Sequence, residues 1–243
     1  MTYNNTYTWL LPFTANQSWI ESFYHNFDCE DITLIADIED DKPTEYSIAS
    51  IHIDAATSDD QRSDIINTIM PILNAAMIIE FGSKITSLEP EYMWSNGMGR
   101  KAITKDTPSK DSPFIAPISG TPAVPLHRVA KIINAAKTNQ TIMDLLRYIG
   151  YNKITWTSLY AALDFMKQNY SIDALCAMSS VTKAQVNLFT HTANNHEAIG
   201  VLCRHGAMGG QPPKTKLTIG SAADDIILPI IRKYIESTTA PAS

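Results

Sequence analysis

Residues 32–53 read ITLIADIEDDKPTEYSIASIHI, and this stretch decides the fold of the first half of the chain. Apolar and polar residues alternate from Ile32 to Ile38, and a second β-rich run follows from Tyr46 to Ile53. Between them lies a polar turn containing proline, Glu39-Asp40-Asp41-Lys42-Pro43. Two such runs around such a turn predict a β-hairpin. Upstream, residues 7–13 are apolar and aromatic and predict another strand. Downstream the period becomes helical. Ile65, Ile66, Ile69, Met70, Ile72 and Leu73 mark the core face of a helix that starts near Asp59 and runs on to Glu80, with Pro71 expected to kink it and Gly82 to stop it. The first part, residues 1–98, is thus expected to be a small antiparallel sheet with one long helix laid across it.

Residues 99–125, GRKAITKDTPSKDSPFIAPISGTPAVP, are rich in proline, serine, threonine and lysine and are expected to connect two domains as an extended segment. Phe114 and Ile115 are expected to pin its middle to the surface. Beyond it the pattern is all-helical over residues 126–237. Helices are predicted over 127–137, over 141–149 up to Gly150, over 155–170, and over 183–192 with Thr182 as N-cap. A last helix opens at Ser221, with Asp224 three residues later as a capping box, and Pro229 is expected to kink it. Residues 238–243 are expected to be a disordered tail. The fold class expected is α+β.

Composition limits the function classes. Hydrophobic residues make up 44% and charged residues 18% of the 243, as in a folded globular chain. Cys29, Cys176 and Cys203 are odd in number and far apart, which suits a reducing cytoplasm rather than a disulfide framework. The N-terminus lacks the basic start of a signal peptide, and no unbroken apolar run reaches the roughly 18 residues of a membrane helix, so no membrane association is expected. The net charge of -6 is unevenly spread. Residues 1–120 hold 7 Lys+Arg against 18 Asp+Glu, a balance of -11; residues 121–243 hold 12 against 7, a balance of +5. A mildly basic second half tolerates a polyanion, although no dense Lys/Arg cluster occurs.

The chemically richest segment is 189–219, FTHTANNHEAIGVLCRHGAMGGQPPKTKLTI. It admits three readings. His191, His196, Cys203 and His205 are metal-ligating types, but the spacing H-x4-H-x6-C-x-H matches no zinc-finger pattern, so no metal and no cofactor are expected. Arg204 and His205 stand side by side ahead of a glycine-rich turn and Lys214 and Lys216. An imidazole beside a fixed guanidinium suits phosphodiester binding and cleavage, with Asp164 as the group that orients the imidazole. Against this, a cationic pair followed by Gly206 is what a helix C-terminus also requires. In the third reading Asn194, Asn195 and the glycines and prolines make a rigid turn offered to a partner. The P-loop, G-x-G-x-x-G, H-E-x-x-H and G-x-S-x-G signatures are missing from the sequence.

On Trp156, Leu159 and Tyr160, Thr192-Ala193-Asn194, Arg204-His205 and Pro212-Pro213-Lys214, residues 154–236 resemble a broad set of uncharacterised bacterial proteins. That resemblance implies a bacterial origin and carries no settled activity. His191, His196 and Cys203 lie outside the pattern. A second resemblance is to the helical HEPN superfamily of RNases and defence proteins, whose Arg and His stand four to six residues apart on one helix. No arginine here has a histidine at that distance, and adjacent side chains on a helix point about 100° apart. The expected function is a cytoplasmic binding module with no catalytic activity assigned. Asn194, Arg204, His205, Lys214 and Lys216 would form its surface, and its partner would be a protein or a second copy. The alternative is a HEPN-like nuclease or RNA-binding protein acting through Arg204, His205 and Asp164.

Overall fold

A computed structural model describes residues 7–13, 17–27, 29–39, 42–95, 97–105, 111–116, 127–204 and 210–239. The alternating stretch forms the expected hairpin within an α+β fold. In chain order the first elements are strand β1 (Leu10–Phe13), helix α1 (Gln17–Asn26), strands β2 (Ile32–Glu39) and β3 (Lys42–Ser50), and helices α2 (Ile51–Asp54) and α3 (Asp59–Phe81). Strands β4 (Tyr92–Ser95) and β5 (Gly99–Ala102) and helix α4 (Arg128–Thr138) follow. The strands form one antiparallel sheet in the order β2-β3-β1-β4-β5. β3 ends three residues before the predicted strand does. Ser50 caps a helical turn there, its side chain accepting the His52 amide at 3.2 Å. β5 occupies the first residues of the segment expected to be a connector.

Contacts divide the chain into two compact units: residues 1–74 with 86–137, and residues 75–85 with 138–243. The expected partition at 99–125 differs from this one, since residues 99–105 and 111–116 fall within the first unit. In that unit Trp9, Leu11, Ile20, Ile32, Ile48, Ile53, Ile66, Ile69, Ile72 and Leu73 are fully buried. Asp54 ties β1 in place by accepting the amides of Thr8 at 2.8 Å and Trp9 at 2.9 Å. Ser58 accepts the Gln61 amide at the start of α3, and the helix runs unbroken through Pro71. By length and composition α3 is apolar enough to cross a membrane, but 72% of its apolar window is buried in protein.

The second unit contains α5 (Gln140–Asn152), α6 (Trp156–Lys167), α7 (Ile172–Ser179), α8 (Lys183–Asn194) and the short α9 (His196–Ile199). Asn139, Thr155, Ser171 and Thr182 cap α5 to α8, and the Thr155 and Thr182 caps are reciprocal boxes with Ser158 and Gln185. α5 continues past Gly150, and Lys153 makes the turn instead, at φ 54 and ψ −163. The final helix starts at Ile219 rather than Ser221. Its N-cap is Thr218, which accepts the Ser221 amide at 3.1 Å. It is helical through α10 (Ile219–Ala222), a π-helical stretch (Ala223–Ile227) and α11 (Leu228–Thr239). Ser237 to Thr239 are therefore helical, and residues 240–243 lie outside the described residues.

Asp224 does not complete a capping box. Its carboxylate accepts the amide of Ser83 at 2.7 Å and the Ser83 hydroxyl at 2.8 Å. Gly82 permits this approach: it stands at φ +99, and a Cβ there would lie 3.2 Å from Asp224 Oδ1. Arg232 donates to the carbonyls of Ile79 and Glu80, so a cation from α11 serves the end of α3, whose own last turn has no basic residue.

Lys153 holds a backbone conformation that suits glycine. Lys153→Gly is expected to raise unfolding stability by about 1 kcal/mol, the strain relieved less the added chain entropy, as measured by calorimetry.

Candidate functional site

The predicted site belongs to the second unit. On α6, Tyr160 and Asp164 stand one turn apart and so share a face. The Arg204 guanidinium lies over the Tyr160 ring, 4.0 Å from its centroid, and reaches Asp164 Oδ2 at 3.4 Å. Asp164 Oδ1 accepts Lys167 Nζ at 3.0 Å. The Arg204 side chain is 34% exposed and Asp164 39%, so solvent screens the ion pair and leaves it worth no more than about 1 kcal/mol. Arg204 is also held by its backbone, its amide donating to Ala193 O at 2.9 Å. Arg204 and Asp164 thus come together, while His205 lies outside the described residues. Asp164 thus holds two cations, one on each carboxylate oxygen.

The neighbouring loop is tied down at several points. Asn195 caps α9, accepting the Ala198 amide at 2.9 Å, and donates from Nδ2 to Gly210 O at 2.9 Å. His191 Nε2 donates to Gln211 O at 3.0 Å, and Lys216 Nζ to Glu197 O at 3.0 Å. Lys214 is exposed, and the buried Asn194 Oδ1 has no partner among the described residues. Cys203 is buried and His196 opens α9. Among the described residues no group of three His, Cys, Asp or Glu is placed to hold a metal.

This scaffold presents two residues that the sequence reading did not single out. The three-ten turn Gly200–Leu202 exposes Val201 at 88% and Leu202 at 64%. Gly200 enters the turn at φ 63, which favours glycine, and the Cys203 amide closes it on Gly200 O at 3.1 Å. Next to the buried Cys203, the pair reads in sequence as core; only the glycine ahead of it hinted at a turn.

A second constellation, in the first unit, was also missed. Asp31 and His52 have no exposed surface. One Asp31 oxygen, Oδ2, meets His52 Nε2 at 2.9 Å and Lys137 Nζ at 2.6 Å. The other, Oδ1, accepts the Cys29 thiol at 3.1 Å. His52 Nδ1 accepts the Ala116 amide at 2.9 Å. A backbone amide only donates, so Nδ1 carries no proton and His52 is the neutral Nε2–H tautomer. Lys137 also donates to Asn134 Oδ1 at 2.7 Å.

Burial pushes the Asp31 pKa up, but the hydrogen bonds from His52 and Lys137 outweigh it and hold the carboxyl down at about 2. Burial and the Asp31 charge push the Cys29 thiol up to about 12. Cys29 is therefore a hydrogen-bond donor, and its partner is the carboxylate rather than the imidazole, the reverse of an activated nucleophile. The centre joins residues from the segment just before β2, from α2, from α4 and from 111–116. No periodicity in the sequence links them.

No family model, no curated protein and no solved structure matches the chain.

Asp31→Asn leaves the half-buried Lys137, 13% exposed, without its counter-ion and is expected to cost about 3 kcal/mol in denaturant unfolding. Because the folded carboxyl titrates below its ordinary 3.8, Asp31 contributes stability above that pH. The contribution, about 2 kcal/mol, is expected to disappear as pH falls from about 4 to about 2 in unfolding measured against pH.

Proposed function

We propose that the protein is a non-catalytic binding module that engages a protein partner through the Val201–Leu202 turn, with Arg204 at its edge. The observation that carries this is two adjacent aliphatic side chains, 88% and 64% exposed, on a backbone held at both ends. A fixed loop loses little entropy on binding, and burying a valine and a leucine is worth about 1.5–3 kcal/mol each. Arg204, Lys214 and Lys216 stand nearby in sequence within the half of the chain that carries the positive balance, and they suit a partner whose apolar recess has an acidic rim. Asn194 and His205 belong to the same stretch. In the rival nuclease reading Asp164, which holds Arg204 and Lys167, also orients His205.

The Val201→Asp/Leu202→Asp double variant is expected to lose the partners that wild type captures by amine cross-linking through the exposed Lys214, with unfolding stability within about 0.5 kcal/mol of wild type. Self-association lost in the same variant, read by sedimentation, identifies the partner as a second copy. RNA cleavage by wild type that disappears in Arg204→Ala overturns the binding reading in favour of the nuclease.

A further inference from the structure

Residues 111–116 lie against the buried Asp31 centre. Pro113 is buried, and the Phe114 ring meets the His52 imidazole edge-on, with centroids 5.3 Å apart at 74°. The same ring takes Lys137 Nζ at 5.3 Å from its centroid. Two residues on, the Ala116 amide donates to His52 Nδ1. Phe114 and Ala116 thus contact the two cation-forming groups that share Asp31 Oδ2. Ile115, between them, is 45% exposed. The segment is a strap over a polar centre.

The charges in that centre balance. Asp31 carries one negative charge and Lys137 one positive; His52 is neutral by its tautomer, and Cys29 is a thiol. The groups facing His52 or its partner carboxylate are Asp31 and Cys29 from the residues just before β2, Lys137 from α4, and the Phe114 ring and Ala116 amide from the strap. On its own element, Ser50 accepts the His52 backbone amide and Asp54 faces the amides of Thr8 and Trp9.

We propose that residues 111–116 are an acid-released strap, opened when His52 takes one proton from solvent at Nδ1. That proton has two consequences of the same sign. It removes the lone pair that accepts the Ala116 amide, leaving two N–H groups facing each other. It also places imidazolium and ammonium on one carboxylate, an unmatched positive charge beside a His52 and an Asp31 that have no exposed surface. Opening admits water to the imidazolium and relieves both; raising the pH returns the proton to solvent and closes the strap. The device lies wholly in the first unit and stands independently of the proposed binding turn.

The test is nuclear magnetic resonance on wild-type protein. At neutral pH the His52 ring nitrogens are expected to show the Nε2–H tautomer, and the Ala116 amide to be protected from exchange. On acidification Ala116 protection, corrected for intrinsic exchange, is expected to fall at least about tenfold with the midpoint of the His52 titration, while the Ile48 and Leu34 amides stay protected. Phe114→Ala weakens only the closed strap, so it is expected to move that midpoint to higher pH. An Nδ1–H tautomer at neutral pH overturns the proposal. So does Ala116 protection that is lost only together with Ile48, or a midpoint that Phe114→Ala leaves unchanged.

Discussion

A carboxylate with no exposed surface, Asp31, sets the terms for the first unit. Burying a charge is tolerable only when its acceptor sites are filled by well-placed donors, and here they are filled by an imidazole, an ammonium and a thiol. Each donor comes from a different stretch of chain. The carboxylate therefore acts less as a source of net stability than as a gauge: β2, α2 and α4 must arrive together or a charge is left stranded. The His52 tautomer extends that constraint to the strap, since the nitrogen not facing Asp31 is committed to Ala116.

The second unit meets a gentler form of the same demand. Helix ends leave backbone groups without partners, and the chain answers locally wherever it can, with Asn139, Thr155, Ser171 and Thr182 capping four helices in succession. At the end of α3 no local group suffices, so Arg232 and Asp224 are brought from the far end of the sequence. These interactions are half-buried, and they steer packing more than they set its strength.

How far the fold could be read follows from where its determinants lie. The hairpin of β2 and β3, the helix from Asp59 and the helices behind Thr155 and Thr182 were legible because periodicity and capping are local. β4 and β5 were not: they are four residues each, and β5 carries Gly99, Arg100 and Lys101 on an edge that faces outward. Asp224 was misread because Ser221 three residues before it imitates a capping box, whereas its partner, Ser83, lies 141 residues away. Of the candidate site residues, His205 lies outside the described residues. The sequence located Arg204 and Asp164, which do meet. It could not reveal that Val201 and Leu202 face solvent, because apolar residues in a turn look the same as apolar residues in a core. Nor could it assemble Cys29, Asp31, His52 and Lys137, which only tertiary structure brings together.

The π-helical stretch Ala223–Ile227 inserts one residue into the winding of the last helix, its ladder closing from the Leu228 amide to Ala223 O. One residue is about 100° of rotation about the axis. Asp224 is aimed at Ser83 in one angular phase, and Ile230, Ile231, Tyr234 and Ile235 are buried in the other. A uniformly wound helix of the same sequence could satisfy either phase but not both: seating the carboxylate would swing the isoleucine stripe toward water, and seating the stripe would swing the carboxylate off its serine. The slip in winding is what lets a single helix serve two directions at once.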